Sequence, residues 1–321
     1  MSTAADIERA VAVLLAGDLV AVPTETVYGL AADATNPLAV AKIFAAKGRP
    51  AGHPLIAHLA SVDWLGKWTA NAPELAYELG RRFWPGPLTM IVGRGPAIPT
   101  EVTGGLQTVA VRVPAHETTR TIIERLGHPI AAPSANRFGS VSPTTAEHVR
   151  RDLGSAVTFI VDGGSCVVGV ESTIIDLTGA EPVIVRPGGV SREQIEDVIG
   201  GPVELRSQGE IKAPGTLPSH YAPKAEVVLV AEAELCAEAN RRAAQGRRVG
   251  VLLPARCSGS IDDQVIVCPV ADDTATAAQQ LYAALRFLDD RQCDVIIASV
   301  PPEQGIGAAI ADRLRRAAYK G

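Results

Sequence analysis

Residues 20–59 read VAVPTETVYGLAADATNPLAVAKIFAAKGRPAGHPLIAHL, and this stretch sets the class of the fold. It opens with an apolar strand, Leu19 to Val22, whose character changes at Pro23. From there Thr24, Thr26 and Tyr28 alternate with Glu25, Val27 and Gly29. On an extended backbone that period of two sets both hydroxyls and the phenol on one face. Asn36-Pro37 then starts a helix, with Asn at the cap and Pro in the first turn. Leu38, Val40, Ile43 and Phe44 give it an apolar side. Gly48 and Pro50 end it, and a second strand, Leu55 to Leu59, follows at once. Lys47 and Arg49 stand at this reversal. They either offset the helix's negative end or face a ligand.

Working outward, the 321 residues have room for two domains. The chain is 47% hydrophobic and 20% charged, which excludes wholesale disorder. A net charge of −5 argues against a general nucleic-acid coat and leaves space for a local basic pocket. The five cysteines are odd in number and widely spaced with no CxxC pair, so neither a zinc site nor a disulfide framework is signalled. A cytoplasmic protein without a metal site of its own is expected. The N-terminal segment reads as a first helix capped by Gly17, and no apolar run approaches a membrane span.

Helices and strands then interchange. Ser61–Trp68 and Pro73–Phe83 read as helical and Leu88–Val92 as a strand. In the strand Gln107–Pro114, Thr108, Ala110 and Arg112 share one face and Val109, Val111 and Val113 the other. Arg112 either lies at a solvated edge or projects into a cleft to hold an anion. A helix, Glu117–Leu126, and a short strand, Pro129–Ala132, lead into PSANRFGSVSPT, residues 133–144. Small hydroxyl and amide residues leaving a strand's carboxyl end, here Ser134 and Asn136, are where open α/β sheets hold ligands. Ordinary turn chemistry is the other reading. Ser142 before Pro143 reads as the N-cap of a helix carrying Glu147 and His148. Strands Val157–Val161 and Val167–Leu177 follow, with Val183–Val185 returning as a hairpin. Glu171 and Ser172 interrupt an apolar strand, a local rule broken without structural gain. Ser191 to Gln194 fits a capping box.

Residues 1–201 thus form one α/β domain, and 202–224 lose all periodicity and read as a linker or lid containing His220 and Tyr221. Residues 225–321 form a small Rossmann-like unit with strands Val227–Val230, Arg248–Leu253, Gln264–Cys268 and Val295–Ser299. It has no GxGxxG; Gly305-Ile306-Gly307 precedes its last helix, so dinucleotide binding is poorly supported. The candidate site residues are Thr24, Thr26, Lys47, Arg49, Arg112, Ser134, Asn136, Ser142, Ser172 and Arg186. They are cations, hydroxyls and one amide, with no metal cluster, Cys–His pair, GxSxG elbow or Walker A. Such a set suits an anionic ligand whose charge must be neutralised as a phosphoryl group reacts. The residues alone lead to an enzyme or binder acting on a phosphorylated small molecule.

PTETVYGLAADA, KGRP with HPLIAHL, TVAVRVP, APSAN with a downstream SPT, VESTIID and VRPG occur in the order of the YrdC-domain superfamily. With SHYAPKA in the linker and QGIGAAIADRLRRAA near the end, the whole chain resembles the superfamily's long form, the L-threonylcarbamoyladenylate synthases. The resemblance implies a twisted open mixed sheet with helices, a lid, and a small Rossmann-like domain. It implies a reaction of L-threonine, bicarbonate and ATP, with Mg²⁺, to threonylcarbamoyl-AMP and pyrophosphate. The product would supply t6A at tRNA position 37 through separate threonylcarbamoyl-transferring machinery; direct tRNA contact is left open. By motif, the family's Lys-x-Arg and Ser-x-Asn set falls on Lys47, Arg49, Ser134 and Asn136. Its threonine-binding positions fall on Thr26, His58, Arg112, the backbone of Ala132, and Ser172. Its ATP contacts fall on Arg49, His53, Thr108, Ser134, Ser142, Arg186 and Tyr221. Two positions depart from the pattern, His53 and Asp312 standing where the family commonly has Asn. A related carbamoyltransferase and a double-stranded RNA-binding module are the competing readings. The first lacks its acylphosphatase and Cys-rich segments here, and the second sits poorly with the acidic net charge.

Overall fold

The structure is a computed structural model that describes residues 3–206, 214 and 221–319. His220 and most of the expected 202–224 lid lie outside the described residues. The chain divides into two compact units, Met1–Phe138 with Ser142–Thr216, and Gly139–Val141 with Leu217–Gly321.

In the first unit the described strands are β1 Val20–Val22, β2 Gly29–Asp33, β3 Ile56–His58, β4 Thr69–Ala70, β5 Leu88–Arg94 and β6 Thr108–Arg112. They continue with β7 Ile130–Ala131, β8 Phe159–Ile160, β9 Thr173–Asp176, β10 Val183–Arg186 and β11 Glu204–Leu205. All join one mixed sheet, ordered β11-β10-β9-β5-β6-β3-β7-β2-β1-β8 with β4 beside β5. Alternation along the central strands separates two apolar layers. Val109, Val111, Ala57, Met90 and Ile175 belong to the main core, while Ile56, Ile91, Ala110, Ile174 and Val185 form a smaller cluster. The helix Pro37–Lys47 starts as its sequence dictates: Asn36 Oδ1 accepts from the backbone of Leu38 and Ala39 at 3.0 and 3.2 Å. Its buried Val40, Ile43 and Phe44 anchor it on the main core, each side chain contributing about 1.5–3 kcal/mol. Gly48, at φ 63°, adopts the left-handed turn that ends it.

Four expectations need correction. Residues 23–28 do not continue β1 as a strand; they form a bend between β1 and the antiparallel β2. The expected strand Val167–Leu177 shrinks to β9, because Gly169 at φ 79° breaks the extended path and leaves Glu171 and Ser172 ahead of the strand. Ser142 is not a helix cap: the helix is Ala146–Leu153, and Thr145 caps it through His148 N. The presumed linker begins with structure, since β11 pairs in parallel with Val183 and Ile184.

The second unit carries four parallel strands among its described residues, β12 Glu226–Leu229, β13 Val249–Pro254, β14 Ile266–Val270 and β15 Val295–Ala298, in the order β12-β15-β13-β14. Helices Leu235–Ala244, Thr274–Asp290 and Gly307–Ala318 complete it.

Candidate active site

Because Gly48 turns the chain sharply, Lys47 is left at the helix end with its side chain buried. Its ammonium donates to the carbonyls of Ser134 and Asn136, both at 2.5 Å, and to Asn136 Oδ1 at 3.3 Å. The backbone N–H of Phe138 returns a bond to Lys47 O at 2.9 Å, so the 133–138 loop is fastened to the helix. Three neutral oxygens hold the cation, and among the described residues no carboxylate forms an ion pair with it. Burial, reinforced by Arg49, pulls its pKa well below the usual lysine range. Arg49 donates to Pro54 O at 2.9 Å, with its guanidinium 5.4 Å from the Phe138 ring. His53 meets the same ring edge-on at 5.5 Å.

A second set lies across the sheet. Register pairs Thr173 with Leu88, Met90 with Val111, and Arg112 with His58. Alternation puts Thr89, Arg112 and His58 on the face that carries Ile91, Ala110 and Ile56. Thr89 and Ser172 share a hydroxyl–hydroxyl bond of 2.7 Å. Arg186 donates to Ser172 Oγ at 3.0 Å, to Ser172 O at 2.8 and 3.1 Å, and to Pro214 O at 2.8 Å. Only glycine fits opposite: a Cβ on Gly188 would lie 2.2 Å from Thr173 N, so the 186–189 loop packs directly on the Ser172 backbone.

Arg112 is buried and fully directed. It donates to Glu25 Oε1 at 2.6 Å, Thr26 Oγ1 at 3.0 Å and Gly86 O at 3.2 Å. Glu25 Oε2 accepts from Ala115 N at 3.0 Å, which fixes the carboxylate. The one proton of Thr24 goes to Val27 O at 2.6 Å, so in the 2.8 Å Thr24–Thr26 contact Thr26 donates. Tyr28 departs from the threonines: its phenol donates to Gly164 O at 2.8 Å and accepts from Gly163 N. Burial, and then Arg112, depress the His58 imidazole to about 3. His58 is therefore neutral at physiological pH, and its Nδ1 is buried with no hydrogen-bond partner among the described residues. An orphaned ring nitrogen beside a fixed arginine suits a ligand with both a charged and a hydrogen-bonding end.

The structure therefore joins Lys47 with Ser134 and Asn136, Arg49 with His53 through Phe138, Thr26 with Arg112, and Ser172 with Arg186. Pairing of Gly29 with Ser134, and bonds from Ala135 N to Tyr28 O and from Tyr28 N to Pro143 O, lay the 24–29 bend along the loop that Lys47 holds. Ala132 follows β7 and donates to Ile56 O at 3.0 Å. Ser142 donates to Glu171 Oε1 at 2.6 Å instead of capping a helix. Thr108 is not joined to these groups: it opens β6, about 13 Å from Arg112 at the strand's rise of roughly 3.3 Å per residue. Tyr221 is packed within the second unit, stacked on Tyr282 at 5.9 Å with the Arg313 guanidinium 4.9 Å from its ring. Sequence reasoning missed Glu25 and Thr89 as site members, and it singled out Glu171 with Ser172 but left it out of the candidate set. The signal for Glu25 was an acid in a stretch whose every residue from 20 to 34 is buried. For Glu171 it was the same broken apolar pattern that singled out Ser172. Thr89 carried none.

A family model described as "Telomere recombination", covering the Sua5, YciO and YrdC proteins, matches residues 12–188. A second, described as "Threonylcarbamoyl-AMP synthase, C-terminal domain", matches residues 190–319. The chain is 46% identical to the threonylcarbamoyl-AMP synthase of Pyrococcus abyssi over 94% of its length and 90% of the relative's. It is 46% identical to that of Bacillus subtilis, over 97% and 92%. The crystal structure of P. abyssi Sua5 complexed with L-threonine superposes with a TM-score of 0.92 at 44% identity, covering 97% of this chain and 94% of that one.

Proposed function

The chain belongs to the Sua5/YrdC family of threonylcarbamoyl-AMP synthases, and from that premise we infer that it joins L-threonine, bicarbonate and ATP into threonylcarbamoyl-AMP, releasing pyrophosphate. The observation that carries the reading is the Lys47 ammonium, buried among carbonyl oxygens with no carboxylate in ion-pair contact with it among the described residues. A charge so placed is costly until an anion arrives, and this reaction brings three. The threonine amine attacks the bicarbonate carbon, the lost amine proton and a bicarbonate hydroxyl leave together as water, and a carbamate forms. A carbamate oxygen then attacks the α-phosphorus of ATP, and the bond to the β-phosphate breaks to free pyrophosphate. Arg112, aimed by Glu25, takes the threonine carboxylate, while Thr26, Ser172 and the His58 nitrogen hold its polar groups. Lys47 and Arg49 gather the carbamate and phosphates, which otherwise repel one another. Ser134, Asn136, Ser142 and Arg186 complete the nucleotide's hydrogen bonds.

Mg²⁺ brought with ATP would offset part of the phosphate charge. Glu25 and Glu171 are engaged by Arg112 and Ser142, and no group of His, Cys, Asp or Glu suited to a metal occurs among the described residues. Phosphate and water oxygens are then the ion's natural ligands. The product passes to a separate enzyme that transfers the threonylcarbamoyl group to tRNA, supplying t6A. The chain works in the cytoplasm; no helix among the described residues is long and apolar enough to cross a membrane. Pyrophosphate release measured with ATP and bicarbonate tests the reading. Release should depend on L-threonine and fall sharply with serine in its place; release independent of the amino acid would overturn it.

A further inference from the structure

In the second unit β13 leads on to its neighbour β14, while β15 leads into the helix Gly307–Ala318, which packs on β12 at the other side of the sheet. The chain thus leaves the carboxyl ends of adjacent strands β15 and β13 in opposite directions. Open α/β sheets bind ligands in the crevice at such a switch point. A cavity of about 340 Å³ lies there, within the size range of small-molecule sites. Its walls include Leu252, Leu281, Ile310 and Leu314. The Gly305-Ile306-Gly307 motif stands behind two lining residues: a Cβ on Gly307 would lie 2.1 Å from Pro302 O and 3.6 Å from Thr274 Cγ2. Glycine is what lets the last helix start against both walls.

The rim is acidic. Arg256 Nε donates to Glu232 Oε1 at 2.7 Å, its Nη2 to Glu232 Oε2, and its Nη1 to Asp272 Oδ1 at 3.2 Å. Both carboxylates occupy the guanidinium, so this arginine is not poised for a phosphate, and the rim keeps one excess negative charge. Asp272 Oδ2 and the hydroxyls of Thr274 and Ser299 have no hydrogen-bond partner among the described residues, and all three residues line the cavity. An apolar slot edged by such acceptors matches an uncharged ligand that joins a flat ring to a hydroxyl-bearing group.

We propose that this cavity is a second ligand site, binding a neutral nucleoside with its base among Leu252, Leu281, Ile310 and Leu314 and its ribose hydroxyls on Asp272. The site stands on the second unit alone and does not depend on the reaction assigned to the first. The test is calorimetric titration of the full chain with adenosine, the catalytic cleft being filled by a non-hydrolysable ATP analogue. One equivalent of adenosine should bind, and AMP at least about tenfold more weakly, because its phosphate meets the acidic rim. Ala277→Trp, at a half-buried position of the wall, should reduce adenosine affinity at least about tenfold. Asp272→Asn leaves the cavity open; it should weaken adenosine several-fold and narrow its advantage over AMP. The proposal is overturned if adenosine produces no binding heat, if AMP binds as tightly, or if neither substitution changes adenosine affinity.

Discussion

Lys47 and His58 are both buried bases whose charged forms the fold disfavours, and each makes a distinct prediction. His58 is depressed from 6.5 to about 3. Above pH 6.5 it is neutral in folded and unfolded chains alike and contributes no pH dependence. Between 6.5 and about 3 the unfolded chain binds a proton that the folded chain refuses, so stability falls with pH by up to about 1.4 kcal/mol per unit. Urea unfolding at a series of pH values should show a shallower acid-side decline in His58→Asn; parallel declines would remove His58 from that role. Lys47→Met keeps the side chain's apolar stem and removes the buried ammonium. It leaves the Ser134 and Asn136 oxygens without that donor, so it should cost about 1–3 kcal/mol in unfolding while lowering threonine-dependent turnover at least about a hundredfold. At this scale the cationic and hydroxyl residues were legible because their chemistry breaks an apolar pattern. Thr89 was not, since a β-branched residue in a strand obeys every local rule, and only its bond to Ser172 sets it apart.

Among the elements, those with strong end signals were readable from residues alone. The helix Glu117–Leu126 has the bounds its periodicity predicts, and Asn36 and Gly48 frame the helix between them. Strand β2 was invisible because its residues, GLAAD, are all buried, so no polar alternation marks it. β11 was lost in a polar stretch for the opposite reason: both its residues are exposed, and pairing with β10 alone defines it. The truncation of β9 turns on Gly169, and the 186–189 loop then seats on Ser172, a long-range approach that local pattern does not encode. That contact is testable. Gly188→Ala places a methyl against the Ser172–Thr173 backbone, where nothing flexible can yield. It should cost about 1–3 kcal/mol in urea unfolding followed by tryptophan emission, Trp64, Trp68 and Trp84 all lying in the first unit. It should also raise the KM for threonine or ATP; an unchanged midpoint and KM would mean the loop has another way to seat.

Over the whole molecule, two α/β units were evident from the interchange of strand and helix patterns and the polar break between them. The assignment of Gly139–Val141 to the second unit was not, since nothing in Gly-Ser-Val distinguishes it from the flanking loop. What the first unit's architecture supplies is convergence: strand register aligns His58 with Arg112, the 24–29 bend carries Thr26 to that arginine, and a helix end delivers Lys47 to the loop beside the same bend. These groups come from separate parts of the chain, and in the proposed reaction they would gather a set of anions that repel in water. The direct test follows carbon from ¹³C-bicarbonate by mass spectrometry in reactions of the purified chain with L-threonine and ATP. A threonylcarbamoyl-AMP product carrying one labelled carbon should form with the wild-type chain and be nearly absent with folded Lys47→Met. No labelled adenylate from the wild type, or equal label from both, would contradict the account.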